Sequence, residues 1–269
     1  MRRPLLSLAS LLLAVSAPAT AQKAAPRGTR QDAPATPDPA IWEMTFADDF
    51  SAAPAGTGPD LTKWTLHDPW GTARPRELQG YAPDAAQRTP GLLRLTASRA
   101  AVAYDGRTRD YRSGIVSTFG LFSQAFGRFE IRCRIAAGAG LASSLRLLPV
   151  PLAQLPEIDV FAASGGEPSK VHFAHQWGNE QTTRSFYDSY PAPDLSAGFH
   201  TFAVEWDKTS IAWFLDGKLT MRSTEGVPQQ AMFLVADLAV GGVLAGVPDE
   251  RTSFPASFDI EYIRVYRRR

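Results

Sequence analysis

The chain has one cysteine, Cys133, in 269 residues, so no disulfide can form within it even in an oxidising compartment. It also lacks an excess of charge of either sign. The 28 Lys and Arg nearly balance the 27 Asp and Glu, for a formal net charge of +1. That balance gives no electrostatic reason to expect nucleic acid or an anionic membrane surface as partner. The closing Arg267-Arg268-Arg269 is then expected to be a solvated tail. No apolar run reaches the roughly 20 residues needed to span a bilayer. No segment of ten or more residues carries a 3.6-residue period with caps, and no internal repeat is found, which argues against a helical or solenoid protein.

What is present begins with a processing signal. Arg2 and Arg3 precede an apolar run from Leu5 to Val15, followed by small residues ending Ala19-Thr20-Ala21. This order predicts a secretory signal peptide over residues 1–21, with a periplasmic or extracellular destination. No cysteine lies near the expected cleavage site, so no lipid-anchored cysteine is expected there. Removing residues 1–21 would lose two arginines and no acids, bringing the formal charge from +1 to −1. Residues 22–40, rich in Ala and Pro, read as a disordered linker.

From Ile41 the texture becomes that of short strands. In "GRFEIRCRIAAG", Phe129, Ile131, Cys133 and Ile135 alternate with Arg128, Glu130, Arg132 and Arg134, the pattern of a half-buried strand. Cys133 is therefore a core residue in this reading. "FHTFAVEWDKTSIAWFLDGKLTMR" reads as two hairpins in series, the second turning at Asp216-Gly217. Further strands are expected at Leu92–Ala97, Gly114–Thr118, Lys170–Gln176, Met232–Val240 and Phe258–Tyr266. Regularly spaced strands with turn residues between them predict one all-β domain over residues 41–269, best arranged as two packed antiparallel sheets.

The candidate chemistry lies in "LPEIDVFAASGG". On a strand, Glu157 and Asp159 share a face while Ile158 and Val160 point the other way. Two carboxyl groups so close raise one another's cost of ionisation, and such pairs serve acid–base and nucleophilic work on glycosidic bonds. A solvated strand face carrying two acids fits the same pattern. Trp70, Tyr81, Trp177, Phe186, Tyr187 and Tyr190 supply rings of the kind that cover the apolar faces of sugars, and that equally fill cores. His172 and His175 stand on the strand expected to return opposite the acids, with a spacing that makes no metal site.

Taken together these segments resemble glycoside hydrolase family 16, secreted jelly-roll enzymes that cut β-glucans and galactans with retention of configuration. "FADDFSAAPAGTGPDLTKWTL" is similar to the family's opening strand and "RELQGY" to its Asn-Glu-Leu-Gln-x-Tyr segment. "DYRSGIVST", "AFGRFEIRCRIAAGAGL", "FHTFAVEWDKTSIAWFLDGKL" and "FPASFDIEYIRVYR" follow in the family's order. The resemblance implies an all-β, two-sheet antiparallel jelly-roll sandwich and a polysaccharide or oligosaccharide partner. It implies no cofactor, apart from a structural calcium on the family's convex face that would involve Asp49 and Glu261.

The family's catalytic signature is Glu-x-Asp-x-(x)-Glu, and "EIDVFA" supplies its first two acids as Glu157 and Asp159. The place of the third, the acid/base, is Ala162 in the bulged form of the motif and Phe161 in the unbulged form. Ala142 and Arg146 stand where the family has cleft tryptophans in Gly-x-Trp-Pro-Ala-Phe-Trp, Leu244 replaces a third, and Arg76 replaces the Asn before Glu77. By position, Trp70, Glu77, Gln79, Arg112 and Trp177 are the expected substrate-binding residues. Three functions are compatible with the missing acid. One is a hydrolase whose proton donor has moved, with His172, His175 and Asp188 as candidates. The second is a glycan-binding protein without turnover, and the third a sandwich used only as scaffold.

Overall fold

A computed structural model describes residues 37–51, 56–179 and 181–269. The predicted signal peptide and residues 22–36 of the predicted linker lie outside the described residues. In chain order the strands are β1 (Trp42–Asp48), β2 (Gln79–Tyr81), β3 (Ala86–Thr89), β4 (Leu92–Ala97), β5 (Val102–Tyr104) and β6 (Arg107–Arg109). Next come β7 (Tyr111–Ser113), β8 (Ile115–Ser117), β9 (Gly127–Arg134), β10 (Leu141–Pro149), β11 (Glu157–Ser164) and β12 (Lys170–Trp177). The last are β13 (Arg184–Pro191), β14 (His200–Trp206), β15 (Ile211–Leu215), β16 (Lys218–Ser223), β17 (Met232–Val240) and β18 (Ala256–Arg268). Helix is confined, among the described residues, to one 3-10 turn at Pro83–Ala85 and to α1 (Gly242–Ala245).

The strands form two antiparallel sheets. One has the order β16-β15-β14-β9-β18-β4-β3, with β1 also paired to β18, and the other the order β13-β12-β11-β10-β17-β8. The pairs β5–β6 and β2–β7 stand apart from both sheets, and β2–β7 is parallel, a departure from the all-antiparallel expectation. Period-2 alternation sorts the side chains between faces. On β10, Leu141, Leu145 and Leu147 enter the core between the sheets, whereas Ser144 and Arg146 point outward. On β17, Leu234, Ala236, Leu238 and Val240 enter the core, leaving Phe233, Val235 and Asp237 outside.

The core is held by aromatic contacts between the sheets. Phe161 of β11 stacks on Phe202 of β14 at 4.1 Å between ring centroids, and meets Phe258 of β18 edge-on at 6.1 Å. Cys133 is fully buried among these residues, as its alternation predicts. The β15–β16 turn has positive φ at both Asp216 (49°) and Gly217 (77°), the geometry required of a two-residue hairpin turn. The closing arginines depart from expectation. Arg267 and Arg268 extend β18, because β1 offers Glu43 and Trp42 as ladder partners and Arg267 pairs with Glu43 at 2.9 Å.

Candidate active site

Residues directly opposite one another in a ladder share a face, so the registers lay out rows across the outer face of the six-stranded sheet. One row runs Asp237, Ser144, Ala162, His172 and Ser189 across β17, β10, β11, β12 and β13. The next runs Val235, Arg146, Asp159, Ala174 and Tyr187. Glu157 lies one step further along β11, opposite Gln176.

A bulge in β11 decides which residue occupies the third position of the acid motif. From Asp159 to Ala162 the strand takes three steps while β12 takes two, from Ala174 to His172. Val160 and Phe161 both turn into the core, and the face is recovered at Ala162. The extra residue leaves a backbone carbonyl out of the ladder, and Trp213 on the opposite sheet donates its indole N–H to the Asp159 carbonyl at 2.8 Å. The bulged reading of the motif is thus the one this backbone adopts.

The side chains around Glu157 form a dense polar cluster. Glu157 itself is buried, with Nη2 of Arg74 3.1 and 3.3 Å from its two carboxyl oxygens. Arg146 Nη1 stands 3.9 Å from Glu157 Oε1, while its Nη2 donates to Asp237 at 2.8 Å. Asp237 also accepts from the Ser144 hydroxyl at 2.6 Å and the Tyr81 hydroxyl at 2.7 Å. Burial alone would raise the pKa of Asp237; Arg146 and these hydrogen bonds outweigh it and hold the carboxyl below its ordinary range. Asp159 goes the other way. Burial first, then the neighbouring Glu157 charge and a hydrogen bond to Glu157, push it well above the carboxylate range.

Glu77 reaches the cluster from the segment before β2. It accepts from the Arg74 backbone N–H at 3.1 Å and from Gln79 Nε2 at 2.9 Å. Burial and the charge of Asp237 raise its pKa. The segment is clamped where Glu77 bridges Gly241, whose φ of 83° and 2.7 Å approach of a would-be Cβ to the Arg76 carbonyl exclude a larger residue. Trp70 is half-buried on the same outer face, packed against Tyr81, Leu148, Phe233 and Val235.

The structure separates the sequence-predicted residues into two groups. Glu157, Asp159, Glu77, Trp70 and His172 come together on this face. Gln79 is fully buried and holds its neighbours, donating to Glu77 and accepting from the Val240 N–H at 2.8 Å, so it offers a ligand no surface. Arg112 pairs with Gly80 rather than with Gln79 or Tyr81, and its guanidinium goes to Asp84. His175 and Trp177 lie on the core-facing side of β12 with Val171 and Phe173. The two rings stack at 4.4 Å, His175 lies 6.4 Å from Trp213, and burial lowers its pKa to about 4. Asp188 is paired with Phe173 and takes that same side of the sheet. Period-2 geometry thus turns His175, Trp177 and Asp188 away from Ala162.

His172 is the one candidate donor that the register sets opposite Ala162. Its ring stacks on Tyr187 and its Nδ1 is hydrogen-bonded to the Tyr187 hydroxyl. Burial, and then the Lys170 charge, lower its pKa. No group of three or more His, Cys, Asp or Glu able to hold a metal ion occurs among the described residues. Of the two residues expected at a calcium site, Glu261 is held by Arg132 at 2.8 Å and Asp49 accepts from the Ser51 hydroxyl at 2.7 Å.

Arg74, Asp237 and Ser144 were not singled out by the sequence, whereas Tyr187 was, as one of the rings suited to a sugar face. Of those three, only Asp237 left a sign: it interrupts the apolar run Met232–Val240 on the face that alternation assigns to the outside.

The structure is thus a two-sheet β-sandwich with a carboxyl and arginine cluster on the outer face of one sheet, a candidate acid–base site. The family profile "Glycosyl hydrolases family 16" matches residues 81–264, and the chain belongs to that family. It is 28% identical over 247 residues to the endo-1,3-1,4-beta-glycanase EglC of Rhizobium meliloti (strain 1021), covering 85% of this chain and 52% of that protein. It is 30% identical over 259 residues to a beta-glucanase of Rhodothermus marinus, covering 84% of this chain and 85% of that one. Among solved structures, the laminarinase from Rhodothermus marinus matches with 31% identity and a TM-score of 0.71, over 85% of this chain and 98% of that one. The laminarinase catalytic domain of Thermotoga maritima MSB8 matches with 27% identity and a TM-score of 0.73, over 84% and 98%. The chain spans about half or less of the length of the first curated relatives it matches.

Proposed function

We propose that this protein is an exported, glycan-active member of the endo-β-glycosidase type, with Glu157 as the nucleophile of a retaining reaction and Asp159 as its proton-sharing partner. The observation that carries the reading is the carboxyl pair itself. Asp159, whose pKa is raised by burial and by the Glu157 charge, suits holding a proton beside Glu157 and fixing the direction of the attacking oxygen. A Glu157 oxygen bonds to the anomeric carbon as the glycosidic C–O bond breaks, and the departing oxygen carries off the electron pair. In the family's signature the third carboxyl group protonates that oxygen; here a methyl group stands at 162. General acid assistance is worth about 10²–10⁴ in rate, so the protein should cleave good leaving groups far better than natural linkages.

His172, across the ladder from Ala162, is the side chain we assign to what proton donation remains. Its lowered pKa gives this assignment a sign. The imidazolium needed for donation accumulates only below the ordinary histidine range near pH 6.5. Cleavage of poor leaving groups should therefore rise as pH falls through that region, and His172→Gln should abolish the rise.

The test of the main reading is a series of aryl β-glycosides of graded leaving-group pKa, together with a 2-deoxy-2-fluoro glycoside that traps the covalent ester. Labelling of Glu157, lost in Glu157→Gln, is expected, with a steep dependence of rate on leaving group. A second reading, glycan binding without turnover, is favoured by Arg74, which occupies both oxygens of the nucleophile. Tight binding of β-glucan or galactan oligomers with no label on Glu157 would select it. Export rests on the pattern at residues 1–21, and N-terminal sequencing of protein recovered outside the cytoplasm, beginning near residue 22, is its expected signature.

A further inference from the structure

Two guanidinium groups flank Glu157, and neither has its hydrogen-bonding capacity filled by the protein in the usual way. Arg146 is buried, with 7% of its side chain exposed. Nη2 is satisfied by Asp237, whereas Nε and Nη1 have no hydrogen-bond partner, and Nη1 is directed at Glu157 from 3.9 Å. A buried N–H of a charged group left without a partner is costly, which makes it a natural receptor for an anionic oxygen. Arg74, by contrast, sits on a loop with 38% of its side chain exposed and both Glu157 oxygens within reach of one nitrogen. It is the exposed member of the pair.

The charge count of the cluster points the same way. Asp237 is engaged by Arg146, Ser144 and Tyr81, while burial raises the pKa of Asp159, Glu77 and Asp68. Glu157 is the carboxylate that the Arg74 guanidinium contacts directly. Attack on a sugar converts Glu157 from a carboxylate to a neutral ester, while the aglycone oxygen leaves with the electrons of the broken bond. The Arg74 guanidinium would then lose its direct carboxylate partner in a partly buried site, where an unpaired charge is expensive.

We infer that Arg74 and Arg146 together form a receptor for an anionic group of the glycan, a uronic-acid carboxylate or a sulfate ester, and that this group draws Arg74 off Glu157. The inference rests on the reading of this face as a glycan site. Arg74 contacts the anion from the solvent side, and Arg146 completes the site from below. The nucleophile is released by the substrate class it serves, and a neutral glycan leaves it paired.

Calorimetric titration of the whole protein separates the possibilities. The ligands are β-linked oligosaccharides containing uronic acid with their carboxyl-reduced counterparts, and sulfated galactan oligomers with their desulfated counterparts. At least one acidic ligand should bind tenfold or more tightly than its neutral counterpart, with the difference shrinking in high salt. The carboxylate and sulfate arms identify the anion. Arg74→Gln, on an exposed loop and checked for an unchanged melting temperature, should erase the preference. Glu157→Gln, which removes the competing carboxylate, should strengthen acidic binding several-fold. Equal affinity for acidic and neutral ligands, or a preference untouched by Arg74→Gln, would overturn the inference while leaving the glycan site intact. Binding of none of these ligands would overturn both.

Discussion

At position 162 a methyl group lies between Ser144 and His172 on a row whose far end is Asp237. A carboxylate introduced there would sit beside two hydrogen-bonding side chains on the face that already carries Glu157 and Asp159. Ala162→Glu is expected to raise the release of reducing ends from an acidic β-linked oligosaccharide, the class that draws Arg74 off Glu157, by about 10²-fold or more, the scale of general acid assistance. Unchanged release would mean that the obstacle is the Arg74 pairing rather than the proton. At this scale the sequence was informative wherever chemistry follows from spacing along one strand. Glu157 and Asp159 are two residues apart, and alternation alone places them together. Arg74 and Asp237 lie 83 and 80 residues from Glu157 along the chain; the pairing of β10 with β11 and β17 brings Asp237 near, and the segment bridged by Glu77 to Gly241 brings Arg74, neither of which a local pattern encodes.

The bulge in β11 is the element that gives the site its register. It is held from behind by Phe161 stacked on Phe202, and by the Trp213 N–H on the Asp159 carbonyl. Trp213→Phe keeps a ring in the core and removes that donor, leaving a buried carbonyl unpaired. The expected cost is about 1–3 kcal/mol in chemical denaturation, with loss of Glu157 labelling exceeding what the stability change explains. The strands themselves were legible, because period-2 alternation is strong in β9 and β14, and β17 is an apolar run broken by Asp237. Whether β11 is bulged was not, since Val160 and Phe161 are both apolar and suit either register. The side of the sheet taken by His175, Trp177 and Asp188 became clear only with the pairing of β12, which fixes His172 opposite Ala162.

Across the whole molecule, stability is expected to depend on acid in a way traceable to the other sheet. Asp259 is fully buried and receives Arg94 and Arg134, both at 2.7 Å. Burial would raise its pKa, but the hydrogen bonds and charges of the two arginines prevail and lower it. A carboxyl group whose folded pKa lies below its unfolded one stabilises the fold above the unfolded value, near 4. That contribution is lost as pH falls through the folded value. Asp259→Asn should therefore lower the melting temperature at pH 7, with a loss of about 1–2 kcal/mol since both arginines stay partly solvated. It should also flatten the decline of stability below pH 4. The fold class was legible at this scale because turn residues punctuate the strands regularly, whereas the parallel β2–β7 pair was not, each strand being three residues long.

The backbone step that turns position 162 outward is secured by rings and an indole on the far side of the sheet, none of which touches what stands at 162. Substitution at that position is therefore free of the architecture that frames it. A lineage can shed its proton donor, or regain one, without refolding anything, and the shape of a hydrolase persists as an heirloom available for binding or for chemistry.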